Sequence, residues 1–273
     1  MEEAIRQDPE SPMVYWDKAW AWGPYIIMEI PRSGISRPRR SAVSLQYARK
    51  LREKIYLQRT RGDIRKSWFT QLYASLPYFA MVRFGKWDDM LGTPPPEDEI
   101  LFENAMWHSG RGVAFLGKND IESAVTEHAA VKAIADSGEV KGGGRVSVDE
   151  MLALAATTLQ GEIAAERGDY DKAISRLEEA VAIQDDLAHT EPPPWHYPTR
   201  QSLGAVLLDA GKPAEAEAVY RADLKDWTEN GWSLYGLMMS LREQGKSREA
   251  DLVEKRFLKA WVRADVALNA SRF

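Results

Sequence analysis

The chain of 273 residues contains no cysteine. Disulfides, zinc–thiolate sites and thiol nucleophiles are therefore excluded. The absence fits a reducing compartment, and the expected location is cytoplasmic. Histidine is scarce: the four are His108, His128, His189 and His196. None stands at the i, i+4 spacing of a His-Glu-x-x-His helix. A metal site would need distant residues, so no metal and no cofactor is expected. No apolar run approaches the ~20 residues of a membrane-spanning helix. Met1-Glu2-Glu3-Ala4-Ile5-Arg6 has neither the basic start nor the apolar stretch of a secretory signal. No membrane partner is expected.

Catalytic signatures are missing as well. There is no Gly-x-Ser-x-Gly elbow. Gly142-Gly143-Gly144 lacks the Gly-Lys-Ser/Thr that opens a helix in a phosphate-binding loop, and it reads as a flexible loop. The acid pairs Asp88-Asp89 and Asp185-Asp186 are adjacent in sequence, so on a helix they point in different directions. No catalytic residue stands out, and the chain reads as a non-enzyme.

The net charge of −5 hides an asymmetry. Residues 32–66 carry twelve Lys/Arg and two acids, a balance of +10, so the remainder sums to −15. The plainer reading is a basic helix lying against acidic neighbours of the same molecule. The sharper one is a surface for nucleic acid or another anionic ligand. Nucleic acid is the less favoured partner.

Repetition is what the sequence has in quantity. Gly168-Asp-Tyr-Asp-Lys-Ala173, Gly211-Lys-Pro-Ala-Glu-Ala216 and Gly245-Lys-Ser-Arg-Glu-Ala250 share one pattern: glycine, a short turn, and alanine five residues on. Glycine closes a helix at positive φ, and the alanine lets the following helix pack closely. A weaker copy has Asn119 in place of the glycine and Ala124 five residues on, and Asn119-Asp-Ile-Glu122 reads as a capping box. Ser147-Val-Asp-Glu150 reads as another. Gly211 and Gly245 are 34 residues apart, whereas Gly168 and Gly211 are 43 apart because the Glu191-Pro-Pro-Pro-Trp195 loop intervenes. Gly85 turns a helical pair over 76–90, which Thr93-Pro-Pro-Pro96 ends.

A period of 34 is that of the tetratricopeptide repeat. The expected fold is all-α, a right-handed α-solenoid of tetratricopeptide-like helix-turn-helix repeats. Its parts are partial N-terminal helices over 1–30, a basic linker or helical segment over 31–75 and a repeat domain over 76–273. An amphipathic last helix is expected over 247–268, with Leu252, Phe257, Trp261 and Leu268 covering the end of the array or contacting a second copy.

Longer stretches carry a further likeness. Val82-Arg-Phe-Gly-Lys-Trp-Asp88, Ala105-Met-Trp-His108, Glu191-Pro-Pro-Pro-Trp-His-Tyr-Pro198 and Ser240-Leu-Arg-Glu-Gln-Gly245 resemble a family of bacterial tetratricopeptide repeat proteins. The proteins resembled are longer and carry a Met-Pro-Ser-His motif in their middle repeats, which is absent here. The chain reads as a head joined to a tail. The resemblance implies a helical scaffold and supplies no catalytic residue.

In such repeats the first helix of each pair lines a concave groove. In this sequence those positions hold Thr158 and Glu162, then Gln201 and Asp209, then Trp232, Tyr235, Met239 and Arg242. The mixture suits an extended peptide or a helix with apolar and basic side chains. The Lys and Asn of a chaperone-type carboxylate clamp are replaced by Thr158, Glu162, Trp232 and Gly236. The function expected is that of a protein-interaction scaffold with a protein or peptide partner. Trp195 and Trp232 are also candidate binding anchors, against the plainer reading of tryptophans as core. A secondary candidate surface joins Trp107, His108 and Arg111 to Trp195, His196, Tyr197 and Arg200, where a metal or small-molecule enzyme site is the alternative.

Overall fold

The computed structural model describes residues 40–57, 67–142, 144–190, 193–262 and 264–272. The segments expected as partial repeat helices over 1–30, and the ends of the basic segment at 31–39 and 58–66, lie outside the described residues. Among the described residues there are twelve helices and no strand. They are α1 (Arg40–Leu57), α2 (Trp68–Ala74), α3 (Leu76–Arg83), α4 (Trp87–Leu91), α5 (Leu101–Leu116), α6 (Ile121–Ser137), α7 (Val148–Glu166), α8 (Tyr170–Asp186), α9 (Thr199–Asp209), α10 (Pro213–Asp226), α11 (Gly231–Glu243) and α12 (Ser247–Trp261).

The turns repeat one geometry because one residue in each accepts positive φ. Asn119, Gly168, Gly211 and Gly245 have φ between 61° and 74°. In each, the next residue's N–H reaches back five positions to a helix carbonyl: Asp120 to Phe115, Asp169 to Ala164, Lys212 to Leu207 and Lys246 to Leu241. This is a Schellman closure. The alanines five residues on, Ala124, Ala173, Ala216 and Ala250, are all fully buried. Gly85 makes the same turn, with Lys86 bonded to Met81, and places Met90 in the core.

Two local details differ from the sequence reading. The cap of α6 is Asp120 and not Asn119: Asp120 accepts from the N–H and hydroxyl of Ser123, because Asn119 is spent on the left-handed turn. Helix α12 ends at Trp261 and not near 268. Its Nε1 donates to the Val266 carbonyl, and residues 264–272 follow without regular structure. Leu252 is 58 % exposed, so most of its side chain stands clear of the described residues.

The chain divides into two compact units, Met1–Ala156 with Ala188–His196, and Thr157–Leu187 with Tyr197–Phe273. The cut falls inside the stretch 76–273 that the repeats mark out. It runs through helix α7, between Ala156 and Thr157. In the first unit α5 packs on α6, and α1, α2, α3 and α4 gather around α5 and each other. Tyr78, Met81, Met90, Phe102 and Met106 are its fully buried centre. In the second unit α8, α9, α10, α11 and α12 pack in chain order, and α9 also touches α11. Its core joins Leu177, Leu203, Val206, Tyr220, Leu237 and Leu241. Close approach is possible where the side chain is absent: a Cβ on Gly161 would stand 2.7 Å from Cγ of Leu177.

Candidate functional site

Thr158, Glu162 and Glu166 follow one another at four-residue intervals on α7, so they share one face. Thr158 and Glu162 are buried, Glu162 to 1 % exposure. Gln201 and Asp209 lie on α9. The segment 264–272 brings Arg272 to these acids. One Nη donates to Glu162, and the other lies 3.0 Å from Asp209 Oδ2 and 3.6 Å from Glu166 Oε1. The Arg272 side chain is 13 % exposed. Burial pulls its pKa down, but the charges of Glu162, Asp209 and Glu166 outweigh that and hold it above its ordinary value.

The neighbouring residue is anchored as well. Ser271 Oγ donates to the Gln201 carbonyl at 2.9 Å. With its single proton spent there, Ser271 accepts from the Tyr220 hydroxyl at 2.6 Å. Gln201 Nε2 donates to Ser233 Oγ at 3.0 Å, and Ser233 donates on to Asp223. Thr158 Oγ1 and Glu162 Oε1 are buried and make no hydrogen bond among the described residues.

The other groove positions lie elsewhere. Trp232 is 6 % exposed, with its ring edge-on to Trp261 at 4.6 Å. Tyr235 packs on Phe257, and Arg242 pairs with Glu254 at 2.9 Å. Met239 packs against the core of this unit. These contacts of Trp232, Tyr235 and Arg242 run to α12. A Cβ on Gly231 would stand 2.3 Å from the Trp261 ring, so Gly231 is what lets that ring seat. The eight positions thus separate: Glu162, Gln201 and Asp209 meet Ser271 or Arg272, Thr158 lies one turn before Glu162 on α7, Trp232, Tyr235 and Arg242 meet α12, and Met239 packs on the core. Glu166, Ser271 and Arg272 are additions that the sequence reading lacks. The i, i+4 spacing of Glu162 and Glu166 is the one local hint.

Trp195 is a core residue, 2 % exposed. In the first unit it and His196 pack on Phe79, and the His196 ring stacks on Phe79 at 4.2 Å and 4°. Burial, with the nearby Arg83 charge, pushes the His196 pKa well below 6.5, so the ring is neutral. Trp107, His108 and Arg111 have a different neighbourhood. His108 Nδ1 lies 2.6 Å from Glu127 Oε2, Arg111 Nε donates to Glu127 Oε1 at 2.7 Å, and Arg111 stacks over Trp107. Burial raises the Glu127 pKa, but the two hydrogen bonds outweigh it and leave the carboxyl below its ordinary value. In the second unit Arg200 forks onto Asp185 at 2.6 and 2.5 Å, and the Tyr197 carbonyl accepts from Gln184. Among the described residues no three His, Asp or Glu side chains are placed to hold a metal ion.

The described part of the basic segment is helix α1. Arg52 donates to Glu103 at 2.9 Å and covers the Tyr56 ring, while Arg49 lies 4.0 Å from Asp89. Glu103 is fully buried and also accepts from the hydroxyls of Tyr56 at 2.6 Å and Tyr78 at 2.8 Å. An open cavity beside α1 mixes Arg49, Lys50 and Lys86 with Glu53 and Asp89. Two of the helix's cations therefore face acids of the same unit. Among the described residues no helix is long and apolar enough to cross a membrane.

A comparison with curated proteins finds no match to this chain. The expected likeness to a family of bacterial repeat proteins gains no support from it. A family model described as tetratricopeptide repeat matches residues 202–222, which join α9 to α10 through Gly211. With its all-helical packing and recurring turn geometry, the chain is tetratricopeptide-like.

Proposed function

We propose that the chain is a protein-interaction scaffold without a catalytic step. Its repeat pairs over 76–273 would form a right-handed solenoid that holds a partner peptide against the first helices of the second unit. The observation that carries this reading is the segment 264–272, an irregular stretch of chain held by α7 and α9 through Glu162, Gln201 and Asp209. Helix faces that hold one extended segment have the chemistry to hold another. The tetratricopeptide match over 202–222 supports it, since such repeats serve as interaction modules.

The test is capture from a lysate of the source organism by the full immobilised chain, with stepwise salt elution. The comparison variants are Asp209→Lys with Glu166→Lys, and Glu178→Lys on the exposed side of α8 as control. A discrete protein held by the native chain and the control, and lost with the first variant, is the expected result. Nucleic acid released by moderate salt in all three would overturn the reading and move the function to the basic segment 32–66.

A further inference from the structure

The acidic face is more than a generic groove. Three carboxylates, Glu162, Glu166 and Asp209, converge on the one Arg272 guanidinium. A planar fork of donors with a fixed charge matches carboxylates on two helices, a geometry that a lysine ammonium does not reproduce. The surplus of acid leaves room for more positive charge than residues 264–272 supply, since that stretch also carries Asp265.

The held segment is anchored over a short length. Ser271 is buried and Arg272 nearly so, whereas Ala264, Asp265, Ala267 and Asn269 are exposed. Trp261 Nε1 also donates to the Val266 carbonyl. Beside it, Thr158 Oγ1 and Glu162 Oε1 are buried acceptors with no hydrogen bond among the described residues. The site thus has polar capacity that residues 264–272 leave unused, and Ser271 and Arg272 are the side chains that meet it.

Resting on the scaffold reading, we propose that this face recognises an extended partner peptide bearing Ser-Arg, in register with Ser271-Arg272, and that residues 264–272 occupy the site in its absence. Competition follows directly. A site occupied by a tethered segment binds an external peptide with an affinity reduced by the fraction of time it is free.

The experiment uses the full chain and a fluorescent peptide of sequence Ala-Asp-Val-Ala-Leu-Asn-Ala-Ser-Arg, followed by anisotropy. Arg272→Ala should bind the peptide at least about tenfold more tightly than the native chain, because the competitor is weakened. Arg272→Lys, which retains the charge and guards against a folding defect, should fall between them. Replacing the peptide's arginine by alanine should cost about tenfold or more. Adding Asp209→Asn and Glu166→Gln to Arg272→Ala should weaken binding again.

Equal affinity for the native and Arg272→Ala chains, or indifference to the peptide's arginine, would overturn the proposal. A dimer abolished by Arg272→Ala would overturn the intramolecular arrangement in favour of exchange between copies. If the lysate partner is lost on charge reversal while the peptide is indifferent, the scaffold reading stands and this inference fails. If the peptide behaves as expected and no protein is captured, the site stands and the scaffold reading fails.

Discussion

A Cβ on Gly236 would stand 2.2 Å from Cζ of Tyr220. The same ring would meet a Cβ on Gly204 at 2.4 Å, so one buried tyrosine of α10 lies against bare backbone on both α9 and α11. The contact links two successive first helices of the array through one second helix.

Gly236→Ala should therefore overpack the core at a cost of about 1–3 kcal/mol. Gly211→Ala tests a different cause: its space is open, but φ is +70°, and the left-handed conformation costs a non-glycine residue about 1–2 kcal/mol. Urea unfolding checks both. Gly236→Ala at native stability would contradict the close packing of Tyr220.

Arg272→Ala leaves the Glu162 charge buried without its guanidinium. Breaking a buried pair costs about 3–5 kcal/mol, and the lower end is expected because Asp209 and Glu166 are partly exposed and can rehydrate. Adding Glu162→Gln should recover part of that loss. A double-mutant cycle measures the coupling, and additive effects would argue against the contact.

His196 gives a pH dependence. Its pKa lies well below 6.5 in the folded chain because it is buried beside Arg83. As pH falls through about 6.5, the unfolded chain takes up a proton that the folded chain refuses, and stability drops by at most ~1.4 kcal/mol per pH unit. Above that pH the contribution is complete. His196→Phe keeps a ring against Phe79 and cannot titrate, so its melting temperature should fall less than the native one between pH 7 and pH 5. Parallel curves would refute the assignment.

Glu103→Leu should release α1. The substitution removes the acceptor of Arg52, Tyr56 and Tyr78 together, and losing one side of a buried charged network costs about 3 kcal/mol or more. Hydrogen exchange should show α1 losing protection first. A uniform loss over the unit would show that Glu103 serves α5 and α1 alike.

Much of the fold is legible in the sequence because its signals are local. Positive φ at Gly168, Gly211 and Gly245 and full burial of Ala173, Ala216 and Ala250 follow from residue type and spacing. Asn119 takes the turn for the same reason, though that displaces the cap to Asp120. The candidate site is less legible. The first-helix periodicity picks out Glu162, Gln201 and Asp209, yet it equally picks out Trp232 and Tyr235, and periodicity does not tell which neighbour covers a face.

By itself the sequence determines the helix pairs, their turns and the small residues that let them approach, since each depends on backbone preferences within a few positions. Only the tertiary structure decides that Arg272 meets Glu162, 110 residues away. That meeting depends on where α12 stops and the chain leaves it. Trp261 sets that point by packing on Trp232 over Gly231 and bonding to Val266, a contact between distant residues that no local pattern encodes.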